Sequence, residues 1–561
     1  MFNMARTSAI SPFVLLLSSF SEHGVYFPSA EGAAAAAAAT TTTTTQRVIT
    51  KDVVIIGGGA SGAHAALRLK DMGQSIVLVE KEVILGGAVD TYSDPGSSSP
   101  SPIDYGVAVF VDYANSSDFF SRLNITMVSP SPPSTMTKTR YFDFTGGEEL
   151  SDYVSPAAAD VTAALERYLV ECEKYEGMLV PGYWDFPAVQ NNDDDDGNEI
   201  PEDLLLPFGA FIAKYNATAA FPSIYASTGL GVGRPAEALT LTAMQSFGAQ
   251  MARVLLGRQA TLVPASGRNQ DVYDAIAAHL LSDEEVLYST TAVSATRTDN
   301  DGVTVTVRNS ENGALATIRA AKLLIAVPPL PDVLAPFDLD VREAQVFARW
   351  KYTHEYAGLV RSRSLVAALN ANGSFTSAVN LPLAAEPRNY LETPRVPFMD
   401  QFQRVGSPDD DLFHVLLVGD EATFGSGGGD GSGQRDAREL VRREFDALMG
   451  RDFVTPITNG SGVDADTDAD ADADLEFVAL SDHGPMHLHV SAEDYRAGFV
   501  RDLYALQGRR STWYTGAGFA SNFQTVLWAY NEILLPKMLA GGDGGKLGDS
   551  DANTDADADV E

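Results

Sequence analysis

The chain has 561 residues, 45% of them hydrophobic, enough for two or three domains around a large buried core. Its formal net charge of −36 is concentrated in acidic runs at 193–203, 464–474 and 543–561. These runs are almost free of aromatics and read as solvated loops plus an acidic disordered tail at 541–561, a charge distribution that excludes nucleic acid and anionic membranes as partners.

At the N-terminus Arg6 precedes the apolar run Pro12-Phe13-Val14-Leu15-Leu16-Leu17. Such a run suits a secretory leader and is far shorter than the roughly 20 residues that span a bilayer. Residues 1–30 are expected to be a signal peptide, and the Ala and Thr tracts within 31–46 a low-complexity spacer. N-x-S/T sites begin at Asn115, Asn124, Asn216, Asn372 and Asn459, compatible with a secreted glycoprotein. A cytoplasmic protein with a ragged leader is the alternative. Cys172 is the single cysteine, so no intramolecular disulfide forms, and its place in a helical pattern at 158–175 suits a buried thiol.

The first ordered unit reads strand, glycine-rich turn, helix, strand. Residues 52–56 form a continuous apolar run suited to a parallel strand buried on both faces. A helix is expected over 60–72, closed by Gly73 in a left-handed cap, and a second strand over 75–80. A β-rich block covers 286–327, with a turn at Asn312-Gly313 and a stop at Pro328-Pro329. The strand-like 512–516 leads into a helix expected over 523–535. Residues 47–126, 256–330 and 506–540 are therefore assigned to one discontinuous domain. Residues 127–255 and 331–505 are assigned to a second.

Gly57-Gly58-Gly59-Ala60-Ser61-Gly62 sits between the first strand and the helix, and Glu80 closes the next strand with Lys81 beside it. Gly57 permits the tight turn, Gly59 the approach of a diphosphate, and Gly62 the packing of helix on strand. Free N–H groups at the helix start then face that anion, and Glu80 is placed to accept from ribose hydroxyls. The motif says dinucleotide; it does not separate FAD from NAD.

Further segments resemble the flavin-containing amine oxidoreductase superfamily. They are Leu85-Gly86-Gly87-Ala88-Val89-Asp90-Thr91, Ile103-Asp104-Tyr105-Gly106, Thr291-Ala292-Val293, Ala326-Val327-Pro328-Pro329 and Trp513-Tyr514-Thr515-Gly516-Ala517. Together with Asp94-Pro95 and Leu506-Gln507-Gly508-Arg509, the closer match is to fungal enzymes similar to β-cyclopiazonate dehydrogenase. The resemblance implies a three-layer β/β/α Rossmann-like FAD domain and a mixed-sheet α+β substrate domain. It implies FAD held by Gly57, Gly59, Ala60, Ser61, Gly62, Glu80, Lys81, Gly86, Gly87, Ala88, Val89, Val293, Gly516, Ala517 and Val526. Ala88 stands where many relatives have arginine and Ala517 where an acid is common, so diphosphate and ribityl contacts are expected to differ. No cysteine lies near the C-terminal segment, so the FAD is expected to be non-covalent.

The expected reaction removes hydride to flavin N5 from a C–H beside nitrogen or an activating ring of a small organic substrate, with oxygen as acceptor. A secondary-metabolite dehydrogenase, oxidocyclase or desaturase is the alternative, and a non-catalytic relative of the same fold a third reading. Phe523, His354 and Tyr356 are candidates for the substrate pocket, and Trp513 and Tyr514 for its aromatic wall. His483, His487 and His489 invite a metal reading, but a strand bearing them with only Asp482 nearby reads better as an exposed face, so no metal is assigned. The 464–474 run lacks the glycine and glutamate of a calcium loop. No protein partner is inferred.

Overall fold

Val53-Val54-Ile55-Ile56 offers no polar side chain to solvent, and in the computed structural model all four are buried at the centre of a seven-stranded sheet. The structure describes residues 47–541 apart from 94–101, 131–137, 188–198, 228–233, 281–283, 300, 370–374, 384–389, 408–409, 425–431 and 451–473. The leader, the spacer, the C-terminal tail and most of the internal acidic runs lie outside the described residues, as do Asn372 and Asn459.

Strand β1 (Arg47–Ile56) leads through the glycine turn into α1 (Ala60–Asp71) and returns as β2 (Ile76–Val79), parallel to β1. All four β2 side chains are buried, each contributing about 1.5–3 kcal/mol. Gly73 follows α1 with φ +81°, the left-handed conformation that ends the helix. The chain comes back with β3 (Val286–Leu287), β4 (Thr290–Arg297), β5 (Val303–Asn309) and β6 (Leu315–Ile325). The sheet order is β3-β2-β1-β6-β5-β4, and Thr512–Tyr514 adds in parallel to the end of β6.

The helices between 158 and 255, including Ala158–Cys172, Phe208–Lys214 and α2 (Thr240–Ser246), share one hydrophobic core with this sheet. Tyr168, Phe208, Phe211 and Met244 belong to the same buried cluster as Val54, Leu67 and Tyr530. The same cluster takes in Phe347, Tyr495 and Phe499, so one core runs through segments assigned to both domains. The short strand Met127–Val128 pairs with Thr261–Pro264. Cys172 is buried in that core, and burial pushes its thiol up, so it stays neutral.

The second sheet has β7 (Lys351–Arg361) between β8 (Leu412–Gly419) and β9 (Glu476–His489), antiparallel to both. It continues through Gln401–Arg404 and Thr376–Asn380 to Lys138–Asp143 and Glu148–Glu149. The sheet is mixed because Thr376–Asn380 and Lys138–Asp143 run parallel. Helix α3 (Ser432–Leu448) covers one face, where Ala437, Leu440, Val441 and Phe445 meet Tyr356, Val360, Phe413 and Leu417 in a separate core. The architecture is α/β, with a Rossmann-like domain and a second, mixed-sheet domain.

The C-terminal helix α4 (Gln524–Leu539) closes the structure against α1. Trp528 Nε1 donates to Ala60 O at 3.2 Å, Asn531 Nδ2 donates to Ser61 O at 2.8 Å, and Arg68 Nε donates to Glu532 at 2.6 Å. The starts of the two helices are thus fixed relative to each other. Among the described residues no helix is long and apolar enough to cross a membrane.

Candidate active site

The turn from β1 to α1 is built on contacts that only glycine allows. Gly57 has φ +98°, and a Cβ on Gly62 would lie 1.8 Å from the Gly57 carbonyl oxygen. Gly87 has φ +62° and passes so close to Gly59 that its Cβ would lie 2.9 Å from the Gly59 Cα. Gly59 and Gly86 pair as a parallel bridge. Two bare backbones therefore run side by side over the start of α1. That start is capped at Gly59 by no side chain, which leaves its first N–H groups for an anion.

Glu80, at the end of β2, is buried beneath this turn. One carboxylate oxygen accepts from Gly58 N at 2.5 Å and the other from Glu82 N at 2.8 Å. A carboxylate has about four lone-pair sites, so two remain for ribose hydroxyls. Lys81 next to it is exposed and paired with Glu82 at 3.4 Å. Val293 falls at a β-bulge: the register of β4 against β5 shifts between Ala292 and Ser294, which takes Val293 out of the ladder.

An FAD fits the residues present. Gly516 has φ +107°, and the nearest atom to a Cβ placed on it is Ser61 Oγ, 4.0 Å away across the groove. The Ser61 hydroxyl is buried and makes no hydrogen bond, and neither does that of Thr525 in the first turn of α4. Helix α4 starts at Phe523 without a side-chain cap, so a second set of free N–H groups points along the same groove. Gly57, Gly59, Ala60, Gly87, Ala88, Gly516, Ala517 and Phe523 are only partly buried or exposed, although the elements carrying them are core elements. Val89 and Val526 are buried behind them. Gln270 secures the Gly86 segment, its Nε2 donating to Leu85 O at 2.8 Å, and Tyr273 OH donates to Gln524 Oε1 at 2.9 Å.

The second sheet reaches this groove through its histidines. His483 Nε2 lies 2.9 Å from the Asp90 carboxylate, at the end of the Gly86-Gly87 segment. His414 on β8 donates from Nε2 to Tyr105 O at 2.9 Å, and burial lowers its pKa to about 4, so it stays neutral. His487 Nδ1 lies 2.7 Å from Asn522 Nδ2 and 2.8 Å from Ser246 Oγ at the end of α2. His487 Nε2 faces Glu355 Oε1 at 3.2 Å, and both side chains are at least 93% buried. That pair is a close approach rather than an aligned hydrogen bond, since Glu355 Oε1 accepts none.

This overturns the exposed-face reading of the histidine cluster. His487 is buried and the His483 ring is 7% exposed, and each has its own carboxylate from a different element, Asp90 and Glu355. A left-handed residue at His487 (φ +50°) and bulges in β9 turn the three rings to different neighbours; His489 Nδ1 bonds His487 O at 2.8 Å. Among the described residues no group of three or more His, Cys, Asp or Glu could hold a metal ion.

His354 and Tyr356 lie on the opposite face of β7 from Glu355, as strand alternation dictates. Their rings stack 5.2 Å apart, pack on Phe424 and bond Asp482, on the side covered by α3. They do not meet Phe523. Tyr514 points its hydroxyl at Glu343, 2.8 Å away, and Trp513 lines a 1010 Å³ cavity with Thr50 and Lys51 of β1 and Arg319 of β6. Neither forms an aromatic wall with Phe523. Glu355, Ser246, Asn522 and Asp90 were missed by the sequence reading. The available signal was Glu355 itself, an acid alternating with His354 and Tyr356.

A model of the NAD(P)-binding Rossmann-like domain matches residues 55–123. The chain is 31% identical over 484 residues to the FAD-dependent oxidoreductase pigF of Monascus ruber, covering 86% of this chain and 90% of that one. It is 28% identical over 481 residues to the β-cyclopiazonate dehydrogenase of Aspergillus flavus, covering 86% and 91%. Among solved structures it is similar to a fatty acid isomerase from P. acnes, with TM-score 0.60, 18% identity and coverage of 87% and 98%. It also resembles cyclohexylamine oxidase from Brevibacterium oxydans, with TM-score 0.51, 17% identity and coverage of 87% and 99%. At those identities the structural likeness is one of fold. The chain belongs to the family of FAD-dependent oxidoreductases; it is an enzyme, and its cofactor is FAD.

Proposed function

We propose that this enzyme oxidises a C–H bond beside nitrogen, or beside an activating ring, in a small organic substrate bound between the two sheets. The observation that carries this reading is the pair of bridges His483–Asp90 and His487–Asn522, which join the second sheet to both loops that flank the groove. When bound, FAD supplies a two-electron acceptor for the hydride that leaves the substrate carbon. The residues of the chain hold it and enclose the reaction. The N–H groups of α1 and the Ser61 hydroxyl take the diphosphate, Glu80 the ribose and the bulge at Val293 the adenine. The start of α4 would hold the flavin ring, and Phe523, at its capping position, would line the substrate side. The second sheet closes the site from water, which strengthens each polar contact inside.

FAD is held without a covalent link in this reading, and oxygen is the final acceptor. A dehydrogenase of a larger ring system is the second reading, favoured by the likeness to β-cyclopiazonate dehydrogenase. Secretion with N-glycosylation is part of the proposal, supported by exposed side chains at Asn115, Asn124 and Asn216. Expression in yeast with the native leader should place a glycosylated protein in the medium; an unglycosylated protein retained in the cytosol contradicts secretion. Anaerobic mixing with a panel of amines, followed near 450 nm, tests the reaction. Bleaching by an amine supports the first reading. Bleaching only by polycyclic N-heterocycles supports the second, and bleaching by neither rejects both.

A further inference from the structure

The 1010 Å³ cavity beside Trp513 is lined by three cations, Lys51 from β1 and Arg319 and Lys322 from β6. Lys51 pairs across the parallel ladder with Ala320, so Lys51 and Lys322 share one face of the sheet, while Arg319 lines the cavity from the other. From Lys51 the strand β1 runs on to the glycine turn at Gly57, which puts this end of the sheet about 20 Å from the dinucleotide site. The cavity is therefore separate from the groove described above.

Among the described residues none of the three cations makes a hydrogen bond or an ion pair. Asp299 and Asp301 line the same cavity without pairing with them, and Asp299 Oδ1 is taken by Arg510 N at 2.6 Å. The chain carries 75 acidic side chains against 39 basic ones, so three cations around one cavity with no carboxylate partner are the exception on its surface. They leave a local positive field that a segment rich in carboxylates would neutralise.

The chain itself delivers such a segment to the cavity. Gly541, just past the end of α4, is part of the lining, and its φ of +71° turns the backbone off the helix axis there. Residues 542–561, outside the described residues, then carry Asp543, Asp549, Asp551, Asp555, Asp557, Asp559 and Glu561 against the single Lys546. We propose that this acidic segment docks in the cavity of its own chain, its carboxylates pairing with Lys51, Arg319 and Lys322. Reach does not limit the contact, because Asp543 follows Gly541 by two positions and the whole segment can extend about 70 Å. Attachment beside the cavity gives the segment an effective concentration on the order of mM, which neither a second copy nor a free anion has in dilute solution. The pairing is Coulombic and half-exposed, so salt weakens it as the screening length falls from about 30 Å at 0.01 M to about 3 Å at 1 M.

The test is zero-length coupling of carboxylates to amines with a carbodiimide in the full-length holoenzyme, the links being mapped by peptide mass spectrometry. At about 0.01 M salt, links should join Lys51 or Lys322 to carboxylates of 543–561, and at about 1 M salt their yield should fall about 10-fold. Arg319 is exposed and has no amine to couple, so Arg319→Gln reports only on the field of the cavity. It should lower the yield at Lys51 and Lys322 several-fold while leaving the FAD content unchanged. If Arg319→Gln fails to fold, the combined variant Asp555→Asn, Asp557→Asn and Asp559→Asn, which alters no described residue, takes its place and should lower the coupling of the remaining carboxylates. Mixing isotope-labelled with unlabelled protein separates links within one chain from links between two. Links within one chain that respond to salt and to these variants support the proposal. Links only between chains, links only to Asp299 or Asp301, or no links at all overturn it. A yield indifferent to both salt and Arg319→Gln is what attachment beside the cavity gives without docking, and it overturns the proposal as well.

Discussion

His487 Nδ1 stands 2.7 Å from the side-chain amide of Asn522, the residue just before the capping position of α4. The first lies on the longest strand of the second sheet, and the second belongs to the segment that presents the cofactor helix. One contact therefore ties the substrate side of the molecule to the cofactor side. His483 and Asp90 do the same at the Gly86-Gly87 loop, 2.9 Å apart. Two such ties at either end of the groove hold the second sheet over it.

Gly62→Ala should abolish FAD binding. The added methyl would sit 1.8 Å from the Gly57 carbonyl oxygen, so the turn or α1 must shift, at a cost of about 1–3 kcal/mol in overpacking. The measurement is thermal melting with and without added FAD: the variant should melt below the wild type and gain nothing from the cofactor. A wild-type gain would show that the turn does not hold the diphosphate.

Glu80→Ala leaves the Gly58 N–H without its acceptor under the cofactor, costs about 1–3 kcal/mol, and removes the ribose contacts as well. FAD affinity, followed by quenching of flavin fluorescence, should fall about 10- to 100-fold. Glu80→Gln should recover part of this, because its amide oxygen still accepts. Equal affinity in all three proteins contradicts the role given to Glu80.

The Arg297–Glu343 pair is a stability element with no part in the chemistry. Both side chains are fully buried, Arg297 donating to both Glu343 oxygens at 2.7–2.8 Å while Tyr514 OH donates to one of them at 2.8 Å. Glu343→Gln strands a buried guanidinium, and denaturant unfolding should show a loss of about 3–5 kcal/mol. It should leave the flavin spectrum of the folded fraction unchanged. A loss below about 1 kcal/mol would mean that the pair is solvated.

Asp400 and Glu444 give the fold a pH dependence. Burial raises both carboxyls to about 8, against the N–H groups of Leu416 and Met399 that favour the charged form. Each binds its proton more tightly in the folded chain than in the unfolded one. Their contribution to stability is therefore full below the ordinary carboxylate range of about 4, declines as pH rises and is lost through about 8. Asp400→Asn and Glu444→Gln should raise the melting temperature at about pH 8 and change it little at about pH 4. A larger gain at the acid end would reverse the sign and reject the assignment.

The cofactor half of the site was legible because its chemistry is local. Gly57 to Gly62, Glu80, Gly86-Gly87 and Gly516 each mark a place where backbone must approach backbone or anion, and glycine records that in the sequence. The buried polar cluster left no such mark. Ser246, Glu355, His487 and Asn522 become neighbours only through tertiary packing, whereas His354 and Tyr356 point to the other face of β7. The histidines of β9 were misread for a related reason. A regular strand would put His487 and His489 on one face, whereas the bulges and the left-handed backbone at His487 separate them. The helices of 158–255 carry the amphipathic pattern of any core-facing helix, which does not say which sheet they cover.

The most direct measurement is acid precipitation of the purified protein, with flavin quantified in the supernatant and the pellet. The account predicts a yellow protein that releases one FAD per chain and leaves a colourless pellet. A protein that stays colourless after incubation with FAD, or a pellet that keeps its flavin, would contradict a groove built from Gly57, Glu80 and Gly516 to hold FAD without a covalent bond.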